Sequence, residues 1–87
     1  MDIYPGRVVK SKAGRDKDNY FVIMSVEDSF CYVCDGKIRK VDTPKKKKIK
    51  HLVVTEYSLE LIKNKLDENQ IVTDSMIRKE LKSLNLM

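Results

Sequence analysis

Gly6-Arg7-Val8-Val9-Lys10-Ser11-Lys12-Ala13-Gly14-Arg15-Asp16-Lys17-Asp18-Asn19-Tyr20-Phe21-Val22 decides how this chain is read. Two β-favouring runs, Arg7 to Ser11 and Tyr20 to Val26, flank a polar loop carrying Lys12, Gly14, Arg15 and Lys17. Val8, Val9 and the Phe21-Val22-Ile23 run suit a pleated, half-buried backbone, and Gly14 can take positive φ at little cost. A basic loop held between two paired strands is well built to contact a phosphate backbone.

The strand pattern continues beyond this stretch. Phe30-Cys31-Tyr32-Val33-Cys34 is rich in aromatic and β-favouring residues, and Asp35-Gly36 after it is a two-residue hairpin signal. Lys37-Ile38-Arg39-Lys40-Val41 is then expected as a fourth strand, ended by Asp42-Thr43-Pro44 because proline cannot donate to a ladder. A fifth strand is expected from about Lys50 to Thr55, carrying Leu52, Val53 and Val54. Five short strands with tight connections make a mostly β fold, a small SH3-like barrel over residues 1–55.

Residues 56–87 change period. Leu59, Ile62 and Leu66 share one helical face, with Ser58 placed to cap it and Asn69-Gln70 to break it. Ile77, Leu81 and Leu84 form a second such face behind Thr73 as cap. Helices this short do not persist alone. The C-terminal extension of two short helices is therefore expected to pack on the barrel or, through residues 58–87, on a protein partner.

Charge divides along the same boundary. Residues 1–55 hold 13 Lys and Arg against 7 Asp and Glu, and residues 56–87 hold 5 against 6. The net charge of +5 thus resides in the front part, which points to an anionic partner. From Lys37 to Lys50 eight basic residues (Lys37, Arg39, Lys40, Lys45, Lys46, Lys47, Lys48 and Lys50) meet one acid, Asp42. Such density repels itself unless an anion neutralises it. The alternative is a solvated loop that aids solubility; contact with a polyanion, reinforced by Lys10, Lys12, Arg15 and Lys17, is the expectation.

The Gly6 to Val22 stretch resembles the KOW motif of ribosomal proteins and transcription elongation factors. It is most similar to KOW proteins of the form G-R-V-V-x-S-x-A-G-R-D, and through them to the barrels of archaeal and eukaryotic large-subunit ribosomal proteins, the e-type fourteen, six and twenty-seven group. The resemblance covers roughly the first 55 residues. Where such motifs often carry another glycine this chain has Asp18-Asn19, and asparagine tolerates left-handed geometry better than most residues. The resemblance implies a ribosomal or translation-linked role. Family members with this pattern look bacterial, which argues against a nuclear-localisation reading of the lysine run.

Little in the chain suggests catalysis. Cys31 and Cys34 have C-x-x-C spacing, but inside a strand residues three apart face opposite sides, so the sulfurs should not meet. Zinc needs about four ligands, and only these thiols and His51 are offered as soft or imidazole donors. A lone histidine is no catalytic constellation, so His51 is read as structural or as an RNA-stacking residue. There is no P-loop, dinucleotide glycine pattern or nucleophile elbow. Neither an enzyme nor a metal or other cofactor is expected. No apolar run approaches a membrane span and the N-terminus lacks signal-peptide character, so a cytoplasmic address with reduced thiols is expected.

Together these expectations describe a non-catalytic RNA-binding protein, contacting ribosomal RNA of the large subunit as a ribosomal protein or ribosome-associated translation factor. The expected RNA-binding residues are Lys10, Lys12, Gly14, Arg15, Lys17, Lys37, Arg39, Lys40, Lys45, Lys46, Lys47, Lys48, Lys50 and His51. The alternative within the same resemblance is a KOW protein-interaction module of the transcription elongation type.

Overall fold

The computed structural model describes residues 2–87. Five antiparallel strands form one open sheet: β1 (Arg7–Ser11), β2 (Tyr20–Glu27), β3 (Phe30–Cys34), β4 (Lys45–Lys48) and β5 (Leu52–Ser58). Their order is β4-β3-β2-β1-β5. Two helices follow, α1 (Glu60–Asp67) and α2 (Asp74–Ser83). No helix is long and apolar enough to cross a membrane among the described residues.

The sheet is buried on both faces, and the strand period of two sorts side chains between them. Val8, Val22 and Cys34 point to the side covered by Leu59, Ile62, Val72, Ile77 and Leu81 of the helical segment. Val9, Phe21, Ile23, Cys31, Val33 and Leu52 form a second core on the other side, with Ile3, Ile49 and Val54 against it. The two valines of Val8-Val9 thus serve different cores. The same logic parts Cys31 from Cys34, as the spacing predicts. The register shifts twice, between Ile23 and Ser25, where β2 carries the extra residue, and opposite Arg7 to Val9, where the extra residues lie on β5 between Val54 and Ser58; such irregularities bend strands and increase their twist.

The fourth strand differs from expectation. Residues 37–41 are not a strand, because the Asp35 carboxylate takes their amides first. Its Oδ1 accepts from the backbone N–H groups of Lys37, Ile38 and Arg39 at 2.9, 3.0 and 2.9 Å. Asp74 Oδ1 accepts from the Val41 N–H at 2.7 Å. With those donors used, the chain cannot pair until after Pro44, and the lysine run itself becomes β4. It pairs with β3 in the register Phe30↔Lys48, Cys31↔Lys47, Tyr32↔Lys46 and Val33↔Lys45. Gly36 makes the compact turn possible. It sits at φ +78°, and a Cβ there would lie 2.5 Å from the Asp74 carbonyl oxygen.

β5 also differs, running to Ser58 rather than Thr55, and a 3-10 turn at Ile49–His51 precedes it. Ser58 consequently ends a strand and does not cap α1, whose N-cap is Leu59 without a side-chain hydrogen bond. Thr73 does cap α2, its hydroxyl oxygen accepting from the Met76 N–H at 3.2 Å. Asn69, at φ +56°, ends the turn after α1.

Candidate nucleic-acid interface

The loop between β1 and β2 is built by its own backbone. Ser11 N–H donates to the Asn19 carbonyl at 3.0 Å, and Asp18 N–H donates to the Ser11 carbonyl at 2.7 Å. Lys17 N–H closes a tight turn on the Gly14 carbonyl at 3.2 Å. Gly14 takes φ +76° at an exposed tip where a Cβ would meet nothing within 4 Å. The left-handed residue before Tyr20 is Asp18, at φ +70°, rather than Asn19. Lys12, Arg15 and Lys17 all stand exposed on this loop.

Asp16 is different: it is buried and binds two distant cations. Arg39 donates through Nε and Nη2 to its Oδ2 at 3.2 and 2.9 Å, and Lys47 Nζ lies 3.1 Å from the same oxygen. Burial works to raise the Asp16 carboxyl, but the hydrogen bonds and charges of Arg39 and Lys47 outweigh it and hold the group below the usual carboxylate range. One carboxylate thereby pins the β1–β2 loop to the 35–44 segment and to β4. Arg39 and Lys47, expected as RNA contacts, are committed to this internal network. Lys47 keeps only 11% of its side chain exposed. Sequence pattern did not single out Asp16 as a functional residue, although it closes the Gly14-Arg15-Asp16 triplet.

This pinning brings together what the sequence keeps apart. Ala13 and Gly14 of the loop tip, Lys45, Lys46, Lys47 and Lys48 of β4, His51 and Phe30 line one cleft of about 410 Å³. Lys12 N–H donates to the His51 carbonyl at 3.0 Å, tying the start of the loop to the end of the lysine segment. Lys45, Lys46, Lys48, Lys50 and His51 are exposed, and Lys46 Nζ stands 4.4 Å from the centre of the Phe30 ring.

The other expected residues lie elsewhere. Lys37 lines a separate cleft with Asp18, Tyr20, Ile38 and the C-terminal Asn85-Leu86-Met87. Lys40 is exposed on the 35–44 segment. Lys10 is half-buried, 3.8 Å from the Asp18 carboxylate, with its ammonium 5.5 Å from the centre of the Tyr20 ring.

Both thiols are buried. Burial pushes Cys34 up to about 12, aided by the Asp74 and Asp35 charges, and pushes Cys31 up to about 11 against the opposing charge of Lys47. Such groups stay protonated and are poor nucleophiles. Among the described residues, no three His, Cys, Asp or Glu are grouped to hold a metal ion. No protein-family model matches this chain, and no curated protein matches it in sequence.

Proposed function

We propose that this chain is a non-catalytic RNA-binding protein whose five-stranded sheet is a KOW-type SH3-like barrel. Its ligand is ribosomal RNA, and it works in the cytoplasm as a ribosomal protein or ribosome-associated translation factor. The observation that carries this proposal is the shared cleft, in which the Gly14 loop tip and the Lys45–Lys48 strand meet although some thirty residues separate them. Two basic segments converging on one surface fit a polyanion far better than a small anion. Lys45, Lys46, Lys48 and Lys50, with Lys12, Arg15 and Lys17 on the neighbouring loop, would supply phosphate contacts. These contribute most of the affinity, and shape supplies most of the selectivity.

Sedimentation of native cell extract tests the proposal. The protein should travel with large ribosomal subunits at low salt and be released at high salt. Migration at the top of the gradient under all conditions would contradict a ribosomal role.

A further inference from the structure

Phe30 is an aromatic ring that the fold leaves outside both of its cores. Phe21 is a core residue, Tyr20 and Tyr57 pack against the helical core, and Tyr4 accepts a hydrogen bond from Arg7. Phe30 and Tyr32 belong to neither core among the described residues, and of the two it is Phe30 that lines the basic cleft. It stands half-exposed at the start of β3. It also lines an adjoining cleft of about 430 Å³ formed with Ser29, Lys48, Ile49 and Lys50.

A phenyl ring has no polar handle, so leaving it in water forgoes hydrophobic stabilisation. Its visible partner is the Lys46 ammonium, 4.4 Å from the ring centre, and such contacts are weak at exposed sites. That ring face can be yielded to a stronger partner. The surroundings say which kind: cations at the rim, an aromatic wall, and the side-chain-free Gly14 in the same lining. Duplex RNA offers phosphates and hydroxyls but keeps its base faces stacked inside. Only an unpaired nucleotide brings both a phosphate charge and an open π-face. The cleft volume falls within the range of pockets that hold small ligands.

Resting on the RNA-binding function proposed above, we infer that this cleft takes an unpaired nucleobase stacked on Phe30. The protein therefore prefers looped, bulged or single-stranded RNA to continuous duplex. Lys46 leaves the ring on binding and meets the phosphate beside that base.

The chain contains no tryptophan, so Phe30→Trp places a single indole at the site. The parent, Phe30→Trp and Phe30→Leu are titrated with three RNAs: a single strand, a blunt duplex, and that duplex with a bulge. Indole emission should be quenched by the single strand and the bulged RNA and unchanged by the blunt duplex. Phe30→Leu should bind the first two roughly fivefold or more weakly. Its duplex affinity and its salt dependence should stay those of the parent, because no phosphate contact is lost. Its melting temperature should match the parent's, since the ring lies outside both cores. RNA binding without quenching, and unaffected by Phe30→Leu, overturns the stacked base while leaving RNA binding in place. An equal loss on all three RNAs also overturns it, assigning Phe30 to strand support. Failure of every RNA to bind would sink both proposals.

Discussion

Asp16→Asn removes the negative charge that holds Arg39 and Lys47 while keeping side-chain volume. Breaking a fully buried ion pair costs about 3–5 kcal/mol, whereas exposed pairs are worth about 0–1 kcal/mol. Asp16 is 6% exposed and Lys47 11%, but Arg39 keeps 27% of its side chain in contact with water. The loss should therefore lie near 2–3 kcal/mol. For a domain of this size that lowers Tm by roughly 10–20 °C, readable by circular dichroism at pH 7. Acid supplies a second readout. The Asp16 pKa is depressed on folding, so its contribution is present above the ordinary carboxylate range and is lost as pH falls through the lowered value. The gap between parent and variant should close under strong acid. Adding Lys47→Met to Asp16→Asn should recover part of the loss, because one of the two orphaned charges is gone. A variant melting within about 2 °C of the parent, or a gap indifferent to acid, would show that the network does not hold these three segments together.

Two further outcomes follow from the packing. Neither Cys31 nor Cys34 should react with a disulfide reagent at pH 8 in the folded protein, and both should react once it is denatured. Because burial raises these thiols to about 11 and about 12, their contribution to stability is intact below the ordinary thiol range and fades as pH rises through those values. Gly36→Ala should cost about 2–4 kcal/mol, since it adds a Cβ at positive φ against the Asp74 carbonyl. A denaturant midpoint equal to the parent's would place the turn differently.

Local rules account for much of this fold and fail where distant groups compete. The β-favouring runs Val8-Val9 and Phe21-Val22-Ile23 mark the first two strands, and burial of both sheet faces explains why each run is apolar at consecutive positions. The 3.6-residue spacing of Ile77, Leu81 and Leu84 gave α2, and Thr73 its start. The fourth strand departs from its local signal: Asp35-Gly36 favours a hairpin, yet the Asp35 carboxylate captures three amides that a ladder would need. Four consecutive lysines have weak strand propensity of their own. They are extended because β3 supplies a paired edge and Asp16 supplies a counter-charge for Lys47. In the candidate site, the exposed cations were visible in composition. The division between Lys47, turned to Asp16, and its neighbours Lys46 and Lys48 was not, because it depends on strand register. In sequence Phe30 is one more β-favouring residue; its place outside both cores and in the lining of the basic cleft depends on the fold.

The central claim is that the cleft-lining lysines neutralise phosphates. Its most direct test replaces Lys45, Lys46 and Lys48 with Gln and leaves Lys47 on Asp16, so that the fold is spared. Affinity for a ribosomal RNA fragment is then followed from low to moderate salt for parent and variant. Each lost phosphate contact lowers the slope of log affinity against log salt by about 0.7–0.9, so the variant should lose about 2 in slope and bind more weakly at low salt. Parallel lines of equal affinity, with unchanged melting temperatures, would contradict it.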